Sequence, residues 1–334
     1  MKRILISFVL FFAISLHGQS NNFIVTTDTL KVEIKKNGGK SIFFNGNFHQ
    51  ISYGDKMMYI FDTNGVILQT ISLPQEIHRY TSYNLHVENG TLFISDERKE
   101  STYCFDEKAL VFYQTKFRHF KLYQDSLFNV YSVCKGEWGG TIYFEEIKNG
   151  SGLIVDAISL YPFTKYQFAQ NYRVYEANVQ CPIVVNKIED IYYLTAYYRH
   201  AKGYNHVYKI VNPYMMEESE LDFKNIYRKN YFSGIETLFS YSSYEMPLDI
   251  HTSFVLNDEL LHLYSDKDGT FVGIIDNKKM TPIYSFGFNF FSEFIYQIDA
   301  SQQVLKFRTP DWKYGGIFLL KENQFQFYFI ELED

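Results

Sequence analysis

Apolar positions in this chain recur with the period of two expected of strands far more often than with the 3.6 of a helix. Near the end, Phe325, Phe327 and Phe329 alternate with Gln324, Gln326 and Tyr328. Met58-Tyr59-Ile60-Phe61 leads into Asp62-Thr63-Asn64-Gly65, and Val66-Ile67-Leu68-Gln69-Thr70-Ile71 follows. Thr91-Leu92-Phe93-Ile94-Ser95 starts directly after Asn89-Gly90. Thr141-Ile142-Tyr143-Phe144 and Leu153-Ile154-Val155 flank Asn149-Gly150, and the runs 260–264 and 271–275 flank Asp268-Gly269. Further Asn-Gly pairs stand at 37–38 and 45–46. Such pairs adopt positive φ at little cost and fit two-residue turns whose twist matches the strands, so each predicts a hairpin.

Helix signals are sparse. Residues 213–229 carry Glu217, Glu218 and Glu220 near the start and Arg228 and Lys229 at the end, the charge order a helix dipole favours. Met215, Met216, Leu221, Phe223 and Ile226 fit a helical stripe poorly, which predicts a loop with at most one or two helical turns.

The hairpins recur as similar units, each an apolar strand with an aromatic, a polar turn, a second strand and a looser connection. Six units parse near 38–78, 79–125, 126–165, 166–236, 237–286 and 287–334. All but the fourth, which takes a long insertion, have the ~40–50 residues of a four-stranded blade. The fold class expected is therefore all-β: a single β-propeller of four-stranded antiparallel blades, most simply six, with five to seven compatible with the rhythm. The chain ends are expected to meet and close the ring, which removes exposed sheet edges. A β-sandwich or two stacked β-domains is the competing arrangement. Composition agrees with strands: 32 Phe, 29 Tyr and 2 Trp make up 19% of the chain, and aromatics suit a half-buried pleated surface.

Ile60-Phe61-Asp62-Thr63-Asn64-Gly65, with Ile67 and Leu73-Pro74 after it, resembles the strand–turn–strand unit of bacterial β-propellers of the NHL and related six-bladed type. Tyr103-Cys104-Phe105-Asp106 is a fainter copy. The resemblance implies a secreted propeller from a group that mostly binds ligands or proteins and includes some enzymes; the fold alone does not select among these.

The N-terminus adds a compartment. Lys2 and Arg3, the apolar run 4–16, and Gly18 and Ser20 at the −3 and −1 positions have the order of a secretory signal peptide spanning 1–20, leaving a propeller domain over 21–334. That apolar run is short for a bilayer core of ~30 Å, and no comparable run follows, so no transmembrane segment is expected after cleavage. The destination is the periplasm or the extracellular space. Cys104, Cys134 and Cys181 form an odd set without a Cys-x-x-Cys pair, which favours buried, hydrophobe-like cysteines over a bridge. The formal net charge is −6 and basic clusters such as Lys35-Lys36 and Lys278-Lys279 are short, so nucleic acid is not an expected partner.

Catalytic patterns are missing where they were sought. The histidines are scattered, and His200 and His206 lack a third ligand, so no metal and no cofactor is expected. Gly150-Ser151-Gly152 lacks the spacing of a nucleophile elbow. Asp266-Lys267-Asp268-Gly269 lacks the oxygen ligands of a calcium loop and the residues of a sialidase aspartate box, and reads as a turn. Two functions of different class survive. The first is a binding module for a protein or carbohydrate, acting as a monomer. The second is a carbohydrate-active enzyme with paired carboxylates in the central pocket, for which Asp96, Glu97, Asp125, Glu137, Glu145, Glu146 and Asp311 are candidates.

Binding residues are expected in loops. Val133-Cys134-Lys135-Gly136-Glu137-Trp138-Gly139-Gly140 sets a lone indole among glycines, with Lys135 and Glu137 beside it. Trp138 could stack on a ligand or plug the groove between blades. Trp312 likewise precedes a glycine pair at 315–316, and Arg199 lies in the aromatic, basic stretch 197–204. Lys135, Glu137 and Trp138, with Trp312 and Arg199 as secondary contacts, are the candidate ligand-binding set; no catalytic residue is assigned.

Overall fold

The structure is a computed structural model. It describes residues 23–29, 38–52, 54–77, 83–96, 100–118, 120–134, 140–147, 174–179, 182–199, 203–215, 217–218, 235–243, 248–299, 302–310 and 314–331. After β1 (Ile24–Thr29), blade one comprises β2 (Gly38–Phe44), β3 (Asn47–Ser52), β4 (Met57–Phe61) and β5 (Ile67–Ser72). Blade two comprises β6 (Tyr83–Glu88), β7 (Thr91–Asp96), β8 (Ser101–Asp106) and β9 (Val111–Thr115). Blade three holds β10 (Tyr123–Gln124), β11 (Phe128–Cys134), β12 (Gly140–Glu146) and β13 (Val174–Val179). In blade four are β14 (Pro182–Ile188), β15 (Ile191–Arg199) and β16 (Gly203–Ile210); β17 (Glu217–Glu218) then crosses back to the outer edge of blade three, and β18 (Ile235–Ser243) completes blade four. Blade five is β19 (Asp249–Leu256), β20 (Glu259–Asp266), β21 (Gly269–Asp276) and β22 (Lys279–Ser285), and blade six is β23 (Phe291–Asp299), β24 (Gln302–Arg308), β25 (Tyr314–Lys321) and β26 (Gln324–Glu331). The protein is a six-bladed β-propeller.

Closure follows the expectation in an unusual form. β1 adds to blade six as a fifth strand, parallel to β26, from Ile24 opposite Gln324 to Thr29 opposite Phe329. The expected unit boundaries need two corrections. Blade three runs on to Val179, and β18 is the outer strand of blade four instead of the opening of blade five. The single long insertion expected is in fact two, between β12 and β13 and between β16 and β18, and these hide the rhythm. Leu153-Ile154-Val155 lies outside the described residues, and the hairpin partnership expected for it is taken: β12 pairs with β11 on one side and β13 on the other. Among its described residues, the helix-like stretch holds a 3₁₀ turn at Pro213–Met215.

Turn chemistry sets the hairpins. Asn45-Gly46 and Asn89-Gly90 both have positive φ at each position, the backbone that joins first to second strands in blades one and two. Asn257-Asp258 and Asn277-Lys278 do the same in blade five. The Asp266–Gly269 stretch is a turn, as expected, with Asp268 N donating to Asp266 Oδ1 at 2.8 Å.

Packing between blades explains why alternation fades along many strands. β3, β7 and β12 are buried along nearly their whole length, since both faces of a blade meet a neighbour. Apolar clusters fill five seams: blades one–two around Ile42, Met58 and Leu85, three–four around Phe144 and Tyr192, four–five around Val207 and Tyr264, five–six around Phe290 and Phe327, and six–one around Phe48, Phe61 and Tyr328. The two–three seam is mixed. Phe120 touches the clusters on both sides, while Arg118 and Lys121 each bond Glu88 at 2.7 Å. Burial raises the Glu88 carboxyl, but those two cations outweigh it and hold the group below the usual range.

Packing within blade six depends on one glycine of β25. A Cβ on Gly316 in β25 would lie 2.2 Å from Tyr328 O and 2.9 Å from Phe307 Cζ. The glycine after Trp312 thus serves blade contact. Gly316→Ala is expected to cost about 3 kcal/mol, read as a lower urea midpoint; an unchanged midpoint would show that the backbone gives way freely.

Candidate functional site

Strands alternate in direction within each blade, with the first innermost. All connections from second to third strands therefore leave at one face, here the upper face. The strand ends at Cys134 and Gly140, Arg199 and Gly203, and Arg308 and Tyr314 all emerge there. Lys135, Glu137, Trp138 and Trp312 lie outside the described residues; Arg199 ends β15 opposite Gly203, and only its backbone is described. At the same face, Lys40 Nζ donates to Asn84 Oδ1 at 2.9 Å and sits 5.5 Å from the Tyr83 ring centroid, tying the inner strands of blades one and two.

The seam between blades six and one changes character with height. Side chains two apart on a strand share a face. Phe43, Phe48 and Phe61 of blade one meet Val304, Leu319 and Tyr328 of blade six at the lower end. One step up, the same faces carry Ser41, Gln50 and Tyr59 against Lys306, and above them Ser52 against Arg308. Asp55 closes the top, accepting from Ser52 Oγ and Tyr59 Oη, each at 3.1 Å. Burial lowers the Lys306 ammonium to about 8 and shifts Arg308 in the same direction.

Ser41 and Gln50 are only 1% and 3% exposed, and Ser41 Oγ and Gln50 Oε1 lack a hydrogen-bond partner among the described residues. Leaving such an atom unmet costs about 1–3 kcal/mol. These two orphan atoms, on neighbouring strands of blade one, make the upper part of this seam polar where its lower part is apolar. Sequence reasoning missed it because its walls come from opposite ends of the chain. The available signal was Lys306 and Arg308 on one face of a strand whose other residues are mostly apolar.

The carboxylates proposed for glycoside chemistry are occupied elsewhere. Asp125 accepts from Lys187 Nζ at 2.7 Å, Tyr192 Oη at 2.6 Å and two backbone amides, joining blades three and four. Burial raises its pKa, yet these bonds outweigh it and leave the group lowered. Glu145 accepts from Asn129 Nδ2 at 2.9 Å and Tyr131 Oη at 3.2 Å, and Glu146 from Tyr214 Oη at 3.2 Å. Asp125, Glu145 and Glu146 belong to the lower end of blade three, whereas Asp96 ends β7 at the upper face. Glu97, Glu137 and Asp311 lie outside the described residues. Among the described residues, the carboxyls of Asp62, Glu88 and Asp125 are held below the usual range, the opposite of what a general acid needs. No group of three His, Cys, Asp or Glu among the described residues could hold a metal. Cys104 is buried and free; Cys134 ends β11 with only its backbone described, and Cys181 lies outside the described residues.

No protein family matches the sequence, and no curated protein matches it either. Among solved structures, the chain is similar to the calcium-binding protein regucalcin from Agrobacterium tumefaciens, at 9% identity and a TM-score of 0.35, covering 85% of this chain and 87% of that one. It is also similar to the Cps50 (Swd1) β-propeller domain from Myceliophteria thermophila, at 9% identity and a TM-score of 0.41 over 87% and 96% of the two chains. Hydrazine synthase from Kuenenia stuttgartiensis gives 8% identity and a TM-score of 0.38 over 92% and 80%. These likenesses are too distant to bear on function, and the architecture rests on the six sheets themselves.

Proposed function

We propose that this propeller is an exported binding module whose ligand approaches from the upper face, over the polar part of the seam between blades six and one. The observation that carries the reading is the pair of buried orphan atoms, Ser41 Oγ and Gln50 Oε1, which are neighbours across β2 and β3. Gln50 Oε1 needs a donor, and Ser41 Oγ can both donate and accept. A hydroxyl supplies both, so a carbohydrate fits the chemistry best. Lys135, Glu137, Trp138, Arg199 and Trp312 belong to this reading as upper-face contacts, because the strands flanking them all turn there. Among the described residues no helix is long and apolar enough to cross a membrane. Export rests on the order of residues 1–20 and is checked by mass spectrometry of the mature protein, which should begin at Asn21.

A screen of polysaccharides and chromogenic glycosides tests the function. Saturable binding without turnover is expected, weakened about tenfold by Gln50→Leu; reproducible turnover would favour the enzyme. Trp138→Ala is expected to weaken ligand binding by about 1–3 kcal/mol with a nearly unchanged melting temperature. A loss of about 3–5 kcal/mol in stability would instead make Trp138 a plug between blades.

A further inference from the structure

Three Asn-Gly pairs lie among the described residues, at 45–46, 64–65 and 89–90, and the fold treats them differently. The dipeptide carries a reaction of its own. The backbone nitrogen of the glycine can attack the side-chain carbonyl carbon of the asparagine, because no Cβ on the glycine stands in the way. At 64–65 the fold withholds both reacting groups. Asn64 Nδ2 donates to Asp62 Oδ2 at 3.3 Å and Asn64 N to Asp62 Oδ1 at 2.9 Å, while Gly65 N, the nucleophile, donates to Asp62 O at 3.0 Å. At 45–46 only the side chain is held: Asn45 Nδ2 crosses to Glu107 Oε1 of blade two at 2.8 Å. The turn at 89–90 has the same backbone as that at 45–46, with φ of 49° and 70° against 49° and 77°. There Asn89 is exposed, and no hydrogen bond holds its side chain or Gly90 N among the described residues. A Cβ added to Gly90 would meet nothing within 4 Å, so the turn stands open to water.

We infer that Asn89 is a modification site, at which the folded protein deamidates with water as the only co-reactant. Gly90 N bonds to Asn89 Cγ, the Cγ–Nδ2 bond breaks, and ammonia leaves with the proton that Gly90 N gives up. Water then opens the cyclic imide at either carbonyl. One opening gives aspartate; the other gives isoaspartate, in which the main chain runs through Cγ. Both products place a carboxylate next to Glu88, the shared acceptor of Arg118 and Lys121. Isoaspartate also adds an atom to the main chain of a two-residue turn that closes on the Glu88–Thr91 pair, a geometry with no spare length. The site lies at the lower face, so it stands apart from the ligand contacts of the upper face.

Ageing the folded protein at mildly alkaline pH, with peptide mapping by mass spectrometry, tests the assignment; the same protein in urea is the reference. Unfolded, the three pairs should convert at similar rates, because each asparagine is followed by glycine. Folded, Asn89 should convert fastest, Asn45 about threefold more slowly and Asn64 at least about tenfold more slowly, since one bond or several must first break. Glu107→Ala should bring Asn45 up to the rate of Asn89 and leave Asn89 unchanged; Glu107 is exposed, so the fold is retained. Asn37 and the pair at 149–150 lie outside the described residues and do not enter the comparison. The assignment is overturned if Asn64 keeps pace with Asn89 in the folded protein, or if Asn89 stays intact where the unfolded chain is modified. Failure of Glu107→Ala to speed Asn45 overturns it as well.

Discussion

Stability is expected to fall steeply between pH 6.5 and 5, above the range in which most carboxylates titrate. Burial pushes His251 and His262 down to about 3. Burial also lowers His49 to about 4, against a weaker opposing bond to Asn47 O. Each ring is neutral in the folded protein, whereas in the unfolded chain it binds a proton near pH 6.5. The unfolded state thus holds more protons below that pH, and stability rises with pH through the window. The stabilisation is complete above pH 6.5 and is lost progressively as the pH falls towards the folded-state values. At pH 5 each ring has lost on the order of 2 kcal/mol, and the three together a large part of the 5–15 kcal/mol typical of a folded domain.

These rings are built into the inner blades. His251 Nε2 lies 2.6 Å from Ser265 Oγ, with the ring stacked on Phe290. His262 Nδ1 lies 2.6 Å from Ser253 Oγ, which also meets Thr195 Oγ1 at 2.6 Å. Urea unfolding at pH 7.5, 6 and 5 measures the slope, and His251→Gln and His262→Gln should each flatten it. A midpoint that stays level from pH 7.5 to 5 would show that the rings are charged at no cost in the native state.

Phe327→Ala is expected to destabilise the protein by about 4 kcal/mol, near the upper end for a single core truncation. Phe327 is 1% exposed. Its ring meets those of Phe286, Phe288, Phe290, Phe307, Phe318 and Phe329, with centroids from 4.6 to 6.2 Å away. It stands on β26, the strand that receives β1, so the cavity opens beside the closure of the ring. Phe327→Leu retains most of the volume and should cost about 1–2 kcal/mol. Val66→Ala, on the exposed rim, should change the urea midpoint little. Equal midpoints for Phe327→Ala and the wild type would mean that neighbouring rings collapse into the space.

The alternation at 324–329 was legible because a strand with two buried faces still divides its residues between them. Phe325 and Phe327 enter the five–six seam while Tyr328 enters the six–one seam. Asn45-Gly46 and Asn89-Gly90 were legible because positive φ at two successive positions selects those residues. The turns at Asn257-Asp258 and Asn277-Lys278 use the same backbone with a bulkier second residue, and the pair signal failed there. The third blade was misjudged because its inner strand is reduced to Tyr123–Gln124 and its outer one follows a long connection.

What the sequence determined by itself is local: strand period, turn chemistry and the repetition of hairpins in units of similar length, which together require an all-β array and make a propeller the economical form of it. Each of those signals acts over a few residues. The tertiary structure decided what depends on residues distant along the chain. It set β1 against β26, brought β2 beside β24, and covered the rims of blades six and three with added strands. Ring closure supplies the reason. It brings the first blade against the last, so polar groups of one become buried beside the other, a cost that no local stretch of sequence reveals.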